Sequence, residues 1–192
     1  MADAVELDPG TYSGTYKVIG GAPALDFANL VSYRGTEREH DWLRPATNAA
    51  RWARTLDLPA PGRSGTAELR ELRELIAEVF LSIADGQPPD PAALTSIGDR
   101  ATDALRRRKL IFEHSTQLGR WVNDHPTLLG EIARNAAELL TSEHLLPRIT
   151  ACNECRWLFL DTTRNRSRRW CDPADCGNRT RQRRHYLRTT TD

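Results

Sequence analysis

Four cysteines lie within 25 residues of one another: Cys152 and Cys155 as C-x2-C, then Cys171 and Cys176 as C-x4-C, with 15 residues between the pairs. Thiolates are soft ligands. A C-x2-C turn aims two sulfurs at one point, and the intervening excursion brings the other two back, which is the pattern of a tetrahedral Zn²⁺ site with Zn–S near ~2.3 Å. One zinc ion per chain is the expectation, in a structural role, because four thiolates leave no open coordination position for catalysis. Two disulfides are the arithmetic alternative. A redox C-x-x-C is another, but the pairs occur together and no βαβ pattern surrounds them. His40, His114, His125, His144 and His185 are scattered without metal-ligand spacing.

The same segment is rich in arginine. Residues 148 to 192 hold eleven arginines against five acids, a net of +6, while residues 1 to 147 carry a net of −5. Zn²⁺ with four thiolates is formally −2, so the effective charge is nearer +4, and some arginines must balance sulfur. Arg164, Arg166, Arg168 and Arg169 crowd the excursion between the cysteine pairs. Arg179, Arg181, Arg183, Arg184 and Arg188 crowd the segment C-terminal to Cys176. A planar guanidinium suits phosphate and guanine edges, so all nine are candidates for nucleic-acid contact. Docking on an acidic protein surface is the competing use, and Arg179 could equally brace the fold.

Local structure must bring these groups together. Arg156 to Asp161 reads as a strand, Thr162 to Arg166 as a polar turn and Ser167 to Trp170 as a returning strand, with a helix from Cys176 to about Arg188. Knuckle, hairpin and helix make a treble-clef-like finger, too small to fold on apolar burial alone and so coupled to its metal. Trp157, Phe159 and Trp170 are expected to pack beside the site. Gly177 would let backbone approach the sulfurs, and Asn178 would hydrogen-bond back to the knuckle.

The elements upstream read as mainly α, a helical bundle with a small β-hairpin. Thr47 reads as an N-cap for a helix burying Ala49, Trp52, Ala53 and Leu56. A long helix from Thr66 presents Leu69, Leu72, Ile76, Val79, Phe80 and Ile83 on one face and stops at Gly86. Asp90-Pro91 caps another, with Leu94, Ile97, Ala101 and Leu105 inward, and a third starts near Pro126. Lys109 to Glu113 and Gly119 to Val122 read as two strands joined at His114 to Thr116. The segment Ala24 to Val31 is helical or extended. Pro147 is the expected boundary between a helical domain, 1–147, and the finger, 148–192. The acidic start shows no signal-peptide pattern and no apolar run reaches 18 residues, so a cytoplasmic protein with reduced cysteines and no membrane partner is expected.

Cys176-Gly177-Asn178-Arg179, preceded by Arg168-Arg169-Trp170-Cys171 and by Cys152-x-x-Cys155-x-Trp157-x-Phe159-x-Asp161, resembles the CGNR zinc finger family. Ala24-Leu25-Asp26-Phe27-Ala28-Asn29 and Asp41-Trp42-Leu43 through Trp52 resemble the ABATE domain found ahead of that finger. Leu30 stands where the family often has threonine, and Arg181 where lysine is commoner. The resemblance implies a bacterial transcription regulator, described as stress-induced, with the finger as its part for binding nucleic acid, double-stranded DNA foremost. Its zinc ligands would be Cys152, Cys155, Cys171 and Cys176. The helical domain would sense a signal or form a homodimer. Asp26, Asn29 and His40 are the polar residues on which a small effector would draw, although capping and loop hydrogen bonds account for them more simply. No enzyme is expected, and a zinc-stabilised protein-interaction module is the alternative.

Overall fold

The structure, a computed structural model, describes residues 4–62 and 65–189; the side chains at positions 184 and 185, Arg184 among them, lie outside the described set. In chain order the elements are β1 (Ala4–Val5), β2 (Tyr16–Lys17), α1 (Pro23–Ala28), β3 (Val31–Ser32), β4 (His40–Asp41), α2 (Thr47–Thr55), α3 (Thr66–Ala84), α4 (Pro91–Arg106), β5 (Arg108–Glu113), β6 (Leu118–Asn123), α5 (Leu128–Leu140), β7 (Ile149–Ala151), β8 (Leu158–Leu160) and α6 (Cys176–Thr189). The protein is mainly α. Among the described residues the strands form four separate antiparallel pairs: β1 with β2, β3 with β4, β5 with β6 and β7 with β8.

The long helices follow their apolar spacing. α3 buries Leu69, Leu72, Ile76, Val79 and Phe80, and α5 buries Leu128, Ile132, Ala136 and Leu139. Both pack against the short α1, and α4 packs against both of them. Asp90 caps α4 by accepting from the Ala92 amide, with Pro91 at the first helical position. The buried face of α4 is Ala93, Ile97, Ala101 and Ala104; the expected Leu94 is half-buried against the core, and Leu105 is 52% exposed. Alanines win those positions because α4 lies close against α5, where a leucine has no room. Thr47 is the first helical residue of α2 and Ala46 its cap, one position from expectation. Ala24 to Val31 resolves into both alternatives, helix to Ala28 and strand from Val31.

Residues 4–45 are tied into the fold more closely than their sequence suggests. The Tyr16 hydroxyl donates to the Asp26 carbonyl at 2.6 Å and accepts from Trp52 Nε1 at 3.0 Å, tying β2 to α1 and α2. Asn48, fully buried, holds Asp8 and the Trp42 carbonyl. Arg73 on α3, 4% exposed, forms an ion pair with Asp41 on β4. Burial would raise the Asp41 carboxyl, but the Arg73 hydrogen bond and charge outweigh it and hold it below the usual carboxylate range.

The two halves separated at Pro147 share one hydrophobic core. It runs without a break from Val5 and Tyr16 through Phe27, Phe80 and Ile132 to Trp157, Leu158, Phe159 and the four cysteines. Strand β7 packs on α3, and β8 packs on α1.

Candidate metal centre and basic surface

The expected hairpin of the finger is replaced by a different one. β8 pairs not with Ser167 to Trp170, which form no strand, but with β7, at the register Ile149 opposite Leu160 and Ala151 opposite Leu158. The C-x2-C turn is thus the hairpin loop itself. The Cys152 amide donates to the Trp157 carbonyl at 2.8 Å and the Arg156 amide to the Cys152 carbonyl at 3.0 Å, with Arg156 at φ +63° closing the turn. A left-handed arginine is strained, and its guanidinium is held by a bidentate pair with Asp85 at the end of α3.

The second pair comes from the loop before α6. Cys171 ends the excursion, which is docked on the knuckle by the Asn153 amide donating to the Arg169 carbonyl at 3.1 Å, and Cys176 opens α6. The four sulfurs lie within 4.8 Å of one another, all in buried residues and none in a disulfide. Cys155 and Cys171 sulfurs are 3.5 Å apart, and those of Cys171 and Cys176 3.6 Å. A regular tetrahedron with ~2.3 Å metal–sulfur bonds has sulfur–sulfur edges of about 3.8 Å, so the donor set fits such a cation. Electrostatics agree. Hydrogen bonds from its neighbours lower the Cys152 thiol and raise those of Cys155 and Cys171, because sulfurs this close cannot all ionise without a cation between them.

The arginines divide into two groups. Arg168 lies over the Phe159 ring, 4.5 Å from its centroid, and donates to the Trp170 and Cys171 carbonyls. Arg179 bonds the Tyr33 hydroxyl and pairs with Asp175 at 2.6 Å, so it braces the fold through these groups. Arg183 pairs with Glu154 at 2.7 Å. Arg181 donates to Asn178 Oδ1. Arg164, Arg166, Arg169 and Arg188 are exposed, and no ion pair or hydrogen bond engages their guanidinium groups among the described residues. On α6, Arg181 and Arg188 are seven residues apart and share a face, while Arg179 and Arg183, four apart, share the face turned to Tyr33 and Glu154.

Asp161, which enters the sequence motif without a role of its own, organises the arginine loop. Its side chain accepts from the Thr163 amide at 2.8 Å, the Thr163 hydroxyl at 2.6 Å and the Arg168 amide at 2.8 Å. Burial alone would raise this carboxyl, and the three donors hold it below its ordinary value. An acid followed by two threonines and an arginine run is the signal that points to it.

Other expected roles move. Gly177 lies in the first turn of α6, and a Cβ there would meet the Trp170 ring at an ordinary 3.7 Å, so close backbone approach is not its role. Asn178 donates to the Ala174 carbonyl at 2.6 Å, across its own helix turn rather than to the Cys152 knuckle. Trp157 is buried against Tyr16, its Nε1 donating to the Val31 carbonyl at 3.1 Å. Asp26 and Asn29 are not drawn together with His40. Asp26 accepts from the Ile19 and Gly20 amides at 2.8 and 2.7 Å. Asn29 bonds the Leu158 backbone twice, Nδ2 to the carbonyl at 2.8 Å and Oδ1 from the amide at 2.7 Å, standing in for a strand beside β8. His40 stacks on Tyr12 at 4.3 Å and borders a polar cleft of about 620 Å³ with Arg38, Arg44 and Arg179. Among the described residues no helix is long and apolar enough to cross a membrane.

Comparison with known proteins gives two family matches. Residues 148–189 match the CGNR zinc finger, and residues 21–143 match ABATE, described as a "putative stress-induced transcription regulator". No curated protein matches the chain. With more than half of its length matched by the one and its cysteine-bearing end by the other, the chain belongs to the ABATE family and carries a CGNR zinc finger at residues 148–189.

Proposed function

We propose that Cys152, Cys155, Cys171 and Cys176 hold one structural Zn²⁺, and that the finger so fixed in a treble-clef-like arrangement binds the phosphate backbone of double-stranded DNA as part of a transcription regulator. The observation that carries the reading is the set of unengaged arginines at Arg164, Arg166 and Arg169, with Arg188 on α6, beside arginines that are tied to the fold. A loop whose cations were only balancing thiolates would show them paired like Arg168 or Arg179. Four phosphate contacts predict that log K falls with log salt at a slope of about −4.

The test titrates zinc-loaded protein against duplex DNA, single-stranded DNA and RNA at several salt concentrations. Replacing Arg164, Arg166 and Arg169 together by alanine is expected to flatten the slope by about 3 without changing thermal stability. A flat response in the wild-type protein, or no binding to any of the three at low salt, favours the protein-interaction alternative. Tighter binding to RNA than to duplex keeps the basic surface and changes its ligand.

A further inference from the structure

The hairpin β5–β6 carries a surface that the finger does not explain. Its register places Leu110 opposite Trp121 and Phe112 opposite Gly119 on one face. Leu110, Phe112 and Trp121 are 62%, 55% and 59% exposed. The other face holds Lys109, Ile111, Glu113, Leu118, Arg120 and Val122. A lone two-stranded hairpin is marginal in water, and an open, apolar strand edge is a template for another strand. Among the described residues β6 is the only strand neighbour of β5, so the outer edge of β5 is open.

The sequence of β5 indicates what fits that edge. Lys109-Leu110-Ile111-Phe112-Glu113 is chemically symmetric about Ile111: apolar on either side, then a cation at one end and an anion at the other. We propose that β5 pairs antiparallel with β5 of a second copy of this chain about a two-fold axis at Ile111, making a continuous four-stranded sheet. Directly opposite residues of antiparallel strands share a face. In this register Leu110 meets Phe112 of the second copy twice, Lys109 meets Glu113 twice, and Ile111 meets its own counterpart. Moving the axis by one residue toward Leu110 sets Lys109 against Ile111, and moving it by one residue toward Phe112 sets Ile111 against Glu113, so the pattern specifies one register. Charge argues the same way. Lys109 pairs with Asp124 at 2.7 Å, Arg120 lies 3.8 Å from Glu113 and Arg108 pairs with Glu131 of α5 at 3.1 Å, so every charged side chain of the hairpin has a partner. It offers no excess charge to a membrane or a nucleic acid, and it complements itself. This proposal is independent of what the finger binds.

The test is the oligomeric state of the zinc-loaded full chain by sedimentation equilibrium, in the absence of nucleic acid. A dimer is expected at micromolar concentration. Lys109→Glu and Glu113→Lys should each weaken it at least tenfold, since either places like charges opposite one another at two symmetric points. The double reversal Lys109→Glu with Glu113→Lys should restore it. All three variants alter only an exposed hairpin, and thermal melts check that each one folds. A monomer at 100 μM, single reversals without effect, or failure of the double reversal to rescue would each overturn the proposal.

Discussion

Asp26 shows how a residue that looks like a binding group can be a structural one. Its Oδ1 organises the Ile19 to Gly20 turn, where Gly20 is required because a Cβ would come within 2.9 Å of the Asp26 amide. Burial raises its pKa to about 6, against the two amide hydrogen bonds that lower it. Since the folded value exceeds the unfolded one of about 3.9, the native state holds the extra proton between them, and stability from this group is lost as pH rises through about 6. Asp26→Asn keeps an acceptor and removes the titration. The difference in unfolding free energy between wild type and variant should therefore change by roughly 2 kcal/mol between pH 4 and pH 7, read from urea denaturation at each pH. Asn29→Ala leaves a buried amide and carbonyl of Leu158 unpaired and should cost about 2–4 kcal/mol by the same measurement. Gly177→Ala, by contrast, should be neutral or stabilise by about 0.5–1 kcal/mol, because the position is helical and the ring of Trp170 is at ordinary contact distance. A large loss there would restore the close-approach reading.

At the level of elements, the finger is two cysteine-bearing turns set on a short hairpin and a helix. Sequence misplaces that hairpin because Ile149-Thr150-Ala151 is three residues long, below any readable alternation, whereas Ser167 to Trp170 has the length but not the partner. The C-x2-C spacing is legible because ligand geometry is local. The role of Asp161 is legible in part: its bonds to Thr163 are local, whereas its bond to the Arg168 amide depends on the loop folding back. Chelation of the proposed zinc should release both turns at once. Removing it with EDTA is expected to lower the melting temperature by on the order of 10 °C, and acidification should do the same as protons compete for the thiolates. Arg168→Ala should weaken the finger by about 1–2 kcal/mol with the salt slope of DNA binding unchanged, the opposite of the triple loop variant.

The whole molecule joins what its sequence divides. Composition, charge and periodicity all change near Pro147, yet Asn29, Val31, Asp85 and Lys17 reach across to Leu158, Trp157, Arg156 and Asp172. A fragment of residues 148–192 loaded with zinc would expose Trp157, Leu158 and Phe159, all buried in the full chain. It is expected to melt less cooperatively and at lower temperature than the full protein, and equal melting would show the finger to be self-sufficient. The grouping of the four cysteines, the long amphipathic helices, the Asp90-Pro91 cap and the β5–β6 hairpin were determined by the sequence alone, because each rests on neighbours close along the chain. Which arginines are engaged, which strand pairs with β8, and why Asp26 and Asn29 are polar were decided only in the tertiary structure. The Asn29–Leu158 and Arg179–Tyr33 contacts join residues more than a hundred positions apart through the shared core, while the Asp26 turn and the β7–β8 pairing, though closer in sequence, rest on backbone geometry that no side-chain pattern marks.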